Sequence, residues 1–236
     1  MARRNLKLLR AFPGAPSLRP IFERFFKREG GILTALSDAS LRACAGLVPE
    51  ESEVECVPFG EVVARFLALA GGDRVTLAQR GHINAAVVEA CLNIPKESPL
   101  FDSKNFAGLH RTVASGLDEL RAWGYGQDEL LIASERLPGR LGTKLRSLAE
   151  VDDHVDRILG TLARRTNSDQ IRACLELRPE RALGIRLLVV AGSHDDPLDL
   201  AWLRWAESSG AEILVVTERA LSDDLFQGAK EIVTAL

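Results

Sequence analysis

The chain has 236 residues, a net charge of −3 and no apolar run near the roughly 20 residues of a membrane-crossing helix, so it reads as a cytoplasmic globular protein and not a histone-like or membrane one. Its 46% hydrophobic and 27% charged residues suffice for one large core or two modest ones. The start MARRNLKLLR lacks the apolar block of a secretory signal, and the scattered Cys44, Cys56, Cys91 and Cys174 read as reduced, mostly buried thiols with no zinc-type pairing.

Residues 7–12 read as a first strand, stopped by Pro13-Gly14 and Pro16. A helix over 18–28 follows and ends at Gly30-Gly31. Residues 32–36 form an apolar run of strand length, and Ser37 or Asp38 is placed to cap a helix reaching Cys44. After a β-prone run at 54–57, Phe59, Val62, Val63, Phe66, Leu67 and Ala70 keep helical spacing up to Gly71-Gly72. Strands alternating with helices in short units predict an α/β domain with a mainly parallel sheet.

The middle differs. From 77 to 175 the periodicity is helical, with stripes at Ile83, Val87 and Cys91, at Phe106, Leu109, Val113, Leu117 and Leu120, and at Leu145, Leu148, Val155, Ile158, Leu159 and Leu162. Pro95, Pro99, Gly124-Tyr125-Gly126 and Pro138-Gly139 separate these helices, the longest expected over 143–162. The chain returns to β-α-β with a strand at 185–191, the turn Gly192-Ser193-His194-Asp195-Asp196-Pro197, a helix whose Trp202 and Trp205 pack on the sheet, and a strand at 213–216. The expected organisation is an α/β domain in two parts, 1–76 and 181–236, interrupted by a helical insert at 77–180.

Charge is uneven along the chain. Residues 1–28 hold eight Lys/Arg against Glu23, whereas 29–60 hold six acids against Arg42. Such asymmetry marks either a nucleic-acid or partner face, or two solvated surfaces that attract each other; charge alone favours the second.

Four segments, in order, resemble AddB-type helicase–nuclease subunits, which are related to UvrD-like superfamily 1 helicases. Glu53-Val-Glu-Cys-Val-Pro-Phe-Gly-Glu-Val-Val-Ala-Arg-Phe-Leu67 is similar to that family's strand and T-F helix start, with Pro58 in the place of Thr. Phe106-Ala-Gly-Leu109 and Gly116-Leu-Asp-Glu-Leu-Arg-Ala-Trp-Gly-Tyr125 resemble an insert helix closed by an E-L-R-x-x-G turn. Lys144-Leu-Arg-Ser-Leu-Ala-Glu-Val151 is similar to the K-L-x-D-L-A helix, and 187–200 resembles the V-V-D-G-F-x-D-(x)-T-P-L-Q strand and turn. The resemblance implies a RecA-like (P-loop NTPase-type) sheet with a helical insert, acting as a catalytically inactive helicase-like scaffold in DNA double-strand-break repair. It implies DNA, single-stranded or tailed duplex, and an active helicase subunit as partners. The PD-(D/E)XK nuclease of such relatives has no counterpart set of carboxylates and lysine here.

The nucleotide machinery is decayed in both halves. A P-loop needs glycines whose backbone N–H groups wrap phosphates, a Lys on the β- and γ-phosphates, and a Ser/Thr on Mg²⁺. Here Phe12-Pro-Gly-Ala-Pro-Ser-Leu-Arg-Pro-Ile-Phe22 has one glycine and three prolines, and no Gly-Lys-Ser/Thr occurs anywhere. Gly14, Ser17 and Arg19 mark the degenerate loop; Arg19 reads as a solvated side chain, with an anion near the helix N-terminus as the alternative. Ala191 and Gly192 stand where an Asp–Glu pair would hold Mg²⁺. No ATP hydrolysis, no cofactor and no catalytic residue is therefore expected.

His194, Asp195 and Asp196 sit where open α/β sheets bind ligands, and could join Asp152-Asp153-His154 on a metal. The reading preferred is a helix N-cap for Asp195-Asp196-Pro197 and an exposed helix side for Asp152, Asp153 and Asp156, with no metal. His82 and His110 receive no role. DNA contact needs only cations or loop N–H groups. Its candidates are Arg136, Arg140, Lys144 and Arg146 around Pro138-Gly139, with Arg164 and Arg165. Trp123 and Tyr125 could stack on bases, although core packing is the expectation. Two other readings stay open: a stand-alone α/β small-molecule-binding protein or enzyme using the 192–196 turn, and a pure protein-interaction module.

Overall fold

Six parallel strands organise the first part of the structure: β1 (Leu6–Arg10), β2 (Gly31–Ala35), β3 (Val54–Cys56), β6 (Arg186–Gly192), β7 (Glu212–Thr217) and β8 (Lys230–Ile232). Their order is β3-β2-β6-β7-β1-β8, and every pair is parallel. This computed structural model describes residues 6–12, 14–26, 30–48, 52–100, 108–192, 196–218 and 230–232. The chain divides into two compact units, Met1–Asp73 with Ala173–Leu236, and Arg74–Arg172.

In the first unit both faces of the sheet are covered. Leu9, Leu33, Ala35, Leu188, Val190, Leu214 and Val216 pack against Phe22, Phe25 and Phe26 of α1 (Arg19–Phe26) and Cys44 of α2 (Asp38–Ala45). Side chains alternate along a strand, so Leu187, Val189, Ala191, Ile213 and Val215 lie on the opposite face, all fully buried. That face takes α3 (Phe59–Leu69) against β2 and α9 (Pro197–Ser208) against β7. Trp202 is buried between Phe59 and Phe66, both edge-on at 5.1 Å. Double coverage explains why β6 and β7 read as continuous apolar runs and not as an alternating pattern.

Local chemistry sets the element ends. Ser37 caps α2, its Oγ accepting from the Ser40 N–H at 3.2 Å, so Asp38 is inside the helix. The first helix begins at Arg19 after a 3₁₀ turn over Pro16–Leu18; its expected end at 27–28 lies outside the described residues. Gly31 has φ +151, and a Cβ there would meet the Arg186 carbonyl at 2.9 Å and the Phe26 ring at 2.8 Å, so only glycine fits. At the amino ends of the central strands, Glu212 accepts from Lys7 at 2.8 Å and Arg186 at 3.0 Å, tying β1, β7 and β6 together.

The second unit is helical: α4 (Arg80–Leu92), α5 (Leu109–Ala122), α6 (Gln127–Arg136), α7 (Gly139–Thr161) and the start of α8 (Asn167–Glu176), with a two-residue parallel pairing of β4 (Thr76–Leu77) and β5 (Arg164–Arg165). Its core joins Val87 and Cys91 to Val113, Leu117, Val151, Val155 and Leu159. Most of the expected stripes are there, but Leu162 is exposed, and Phe106 lies outside the described residues. Helix α7 begins four residues before the expected start at 143, directly after Pro138. This is possible because Gly142 lets α7 approach α6: a Cβ there would meet the carbonyl oxygens of Leu137 at 2.3 Å and Ser134 at 2.5 Å. No described helix is long and apolar enough to cross a membrane.

Candidate functional site

At the carboxyl edge of the sheet, Arg10, Thr217 and Gly192 stand in register on β1, β7 and β6. Two strand spacings, about 10 Å, separate the outer pair. The fold thus brings the loop after β1 and the end of β6, the two segments read from sequence as a degenerate nucleotide site, to one edge of the sheet. The loop's amides, however, are turned to other acceptors. The Gly14 N–H faces the Cys44 thiol, the Ala15 N–H donates to the Phe12 carbonyl at 3.1 Å, and the Leu18 N–H to the Ala15 carbonyl at 2.9 Å. The Arg19 N–H goes to the Pro16 carbonyl. Pro16 has no N–H, Ser17 is half-buried, and the Arg19 side chain is exposed beside Glu23 at 3.4 Å. Pro13 lies outside the described residues.

Across the edge, Ala191 is buried and a bulge between Val190 and Gly192 shifts the register. Ser193, His194 and Asp195 lie outside the described residues. Asp196 holds the expected N-cap position of α9 with Pro197 next, without a side-chain capping hydrogen bond. In the same first turn, burial and then the Asp196 charge push the Asp199 carboxyl up to about 7. Among the described residues, no three His, Cys, Asp or Glu side chains stand together as metal ligands.

The helical unit holds a polar cluster that sequence inspection missed. Arg121 on α5 is 4% exposed, with Nε 2.8 Å from Asp152 Oδ1 and Nη1 3.2 Å from Thr166 Oγ1. Its Nη2 also pairs with Asp156, and Nη1 lies 3.7 Å from Asp169. Thr166 and Asp169 cap the start of α8: the Thr166 N–H donates to Asp169 Oδ2 at 3.1 Å, and the Asp169 N–H to Thr166 Oγ1 at 3.2 Å. Burial works against the Arg121 charge, but Asp152, Asp156 and Asp169 outweigh it and hold its pKa above the ordinary value. Burial dominates for the acids, lifting Asp152 and pushing Asp156 up to about 6 despite Arg121. Asp152 is therefore buried and not on the exposed side of α7, whereas Asp156 is exposed as expected while still pairing with Arg121. Asp153 is half-buried and pairs with Arg157 at 2.8 Å.

The DNA-contact candidates separate into groups. Arg136, Arg140 and Lys144 are exposed around the α6–α7 turn, with Arg140 and Lys144 one helical turn apart. Arg146 is exposed too, but two positions beyond Lys144 it lies about 160° around the helix, on the side of Glu150, Asp153 and Arg157. Arg164 and Arg165 are half-buried on β5, and Arg164 Nη1 donates to the Leu77 carbonyl at 3.2 Å. They line a cleft of about 390 Å³ with Arg74, Asp156 and Asp169. Next to them Ala163 adopts φ +51, a left-handed conformation that costs a non-glycine residue on the order of 1 kcal/mol.

Trp123 and Tyr125 are 59% and 45% exposed, which overturns the expectation that they close the insert core. The cause is the turn. Gly124, at φ +85, ends α5 in a Schellman motif, with the Tyr125 N–H on the Leu120 carbonyl at 2.9 Å and the Gly124 N–H on the Arg121 carbonyl at 2.9 Å. The two flanking aromatics are carried outward.

No protein-family model matches this chain, and no curated protein is found similar to it.

Proposed function

We propose that the chain is a catalytically inactive, helicase-like scaffold of AddB type that holds DNA, single-stranded or tailed duplex, beside an active helicase subunit. The observation that carries the reading is the outward group Arg136, Arg140 and Lys144, which offers phosphate contacts without any cofactor. The parallel sheet, interrupted between β3 and β6 by a helical unit, is compatible with a RecA-like arrangement. The carboxyl edge supports the inactive part of the reading: its loop amides are engaged within the protein, and buried Ala191 stands where a carboxylate would be needed.

The test is binding of labelled tailed duplex by the full chain, without nucleotide, over a salt series. Binding is expected to weaken steeply with salt, and Arg140→Ala with Lys144→Ala to flatten the log–log slope by about one per lost contact. No binding at low salt defeats the DNA reading.

A further inference from the structure

We infer that the groove between α1 and the sheet is a binding site for a small amphipathic acid, an aliphatic body ending in one carboxylate. The site lies within the first unit, over the amino halves of β1, β7 and β6, and does not depend on the DNA reading.

The groove holds about 610 Å³, within the range of roughly 300–1,000 Å³ of small-molecule pockets, and the surface it offers is mainly apolar. Its floor follows from strand alternation. Lys7 and Leu9 share one face of β1, Glu212 and Leu214 share that face on β7, and Lys7 stands in register with Leu214. Its wall is α1, through Pro20, Ile21 and Arg24. The helix runs antiparallel to the strands. Its last turn reaches the amino end of β6, where Arg186 Nη1 donates to the Phe25 carbonyl at 3.4 Å.

Three elements therefore grade from charge to hydrocarbon in the same direction. Toward the amino ends, β1 offers Lys7, β7 offers Glu212 and α1 offers Arg24; deeper in, Leu9, Leu214 and Ile21 take their places. The step from Lys7 to Leu9 is about 7 Å along a strand, and that from Arg24 to Pro20 about 6 Å along a helix. Floor and wall thus change character at the same depth. At the charged end, Lys7 and Arg186 share the single carboxylate of Glu212, at 2.8 and 3.0 Å. Arg24 is exposed and makes no hydrogen bond or ion pair with another described residue. A carboxylate bound there breaks no existing pair, and a guanidinium matches it fork to fork. Three cations against one anion repel an amine head, and a neutral head forgoes the charge-assisted bond.

The experiment titrates the full chain with hexanoate, octanoate and decanoate, and with 1-decanol and decylamine as neutral and cationic counterparts, read by calorimetry. Hydrogen exchange followed by mass spectrometry locates the site. Decanoate is expected to bind, with affinity rising about fourfold per methylene along the series, and to protect amides of β1 and α1. Decanol and decylamine should bind at least about tenfold more weakly, and Arg24→Gln should weaken decanoate about tenfold while leaving decanol unchanged. The Arg24 side chain is exposed and unpaired, so an unchanged melting temperature of the ligand-free variant is the check on its fold. Absence of decanoate binding overturns the proposal. So does equal affinity for acid, alcohol and amine, equal affinity of Arg24→Gln and wild type, or protection confined to other segments. An acidic amphipathic helical peptide is titrated in parallel: if it alone protects β1 and α1, the groove belongs to a partner segment and the small-acid site falls.

Discussion

Arg121 and Asp152 form a buried ion pair, Nη2 to Oδ1 at 2.6 Å, with side chains 5% and 3% exposed. A charge this deep is tolerable only because each donor direction of the guanidinium meets an oxygen. Removing one member leaves the other unpaired in a low-dielectric site. Arg121→Met or Asp152→Leu should each cost about 3–5 kcal/mol, and the double variant markedly less than their sum. Urea unfolding of the four proteins checks this; additive losses would show that the pair is not coupled.

Asp156 gives the stability a pH dependence of defined sign. Its folded value near 6 lies above the ordinary 3.8, so the folded state keeps a proton that the unfolded chain has lost. This contribution is present below about pH 4, falls as pH rises to about 6, and is flat above. The carboxyl is 45% exposed, so solvent screening holds the effect to on the order of 1 kcal/mol. Asp156→Asn should flatten the curve between pH 4 and 6. Asp199, near 7, acts with the same sign up to about pH 7, and Asp199→Asn should remove that upper part. Thermal unfolding at unit pH steps measures both, and a parallel offset across the range would contradict the assignments.

Gly142 sets the α6–α7 spacing. An added Cβ would meet backbone oxygens at 2.3 and 2.5 Å, atoms that cannot rotate away. Gly142→Ala should destabilise by about 1–3 kcal/mol although alanine is the better helix former. The control Gly160→Ala, on the same helix with open space around it, should instead gain up to about 1 kcal/mol. Denaturant midpoints distinguish them.

The cysteines should react unequally. Cys56 is exposed, whereas Cys44, Cys91 and Cys174 are buried, and burial pushes Cys174 up to about 11. Timed alkylation of native protein at pH 8 should label Cys56 alone, with the rest modified only after unfolding. Early modification of Cys174 in the native protein would show that α8 opens locally.

How far the sequence could be followed depended on where each partner lies. Strands β6 and β7 were readable because burial on both faces writes an unbroken apolar run. The three-residue β8 and the two-residue β4 and β5 carry no such pattern and exist through their neighbours. Arg121 was hidden for a related reason: its oxygens lie 31 and 45 residues downstream at Asp152 and Thr166, and nothing local separates it from a solvated helix arginine. Asp152 and Asp153 are adjacent in sequence, yet about 100° of helix rotation puts one in the core and the other on the surface. At Trp123-Gly124-Tyr125 the turn was legible but its handedness was not, and that handedness decides whether the rings face in or out. The positive group at 136, 140 and 144 was visible from spacing. The contribution of Arg74 to the cleft required the β4–β5 pairing.

The loop after β1 is packed too closely to accept a phosphate by side-chain changes alone. Its glycine approaches α2 closely enough that a Cβ would lie 3.2 Å from the Ala43 methyl, and its amide faces Cys44. Installing a lysine in this loop and carboxylates at 191 and 192 would supply charges without the ring of free N–H groups that phosphate requires. The loop is part of the packing between the sheet and α2, so any anion site engineered there would first require the backbone around Gly14 to be released from α2.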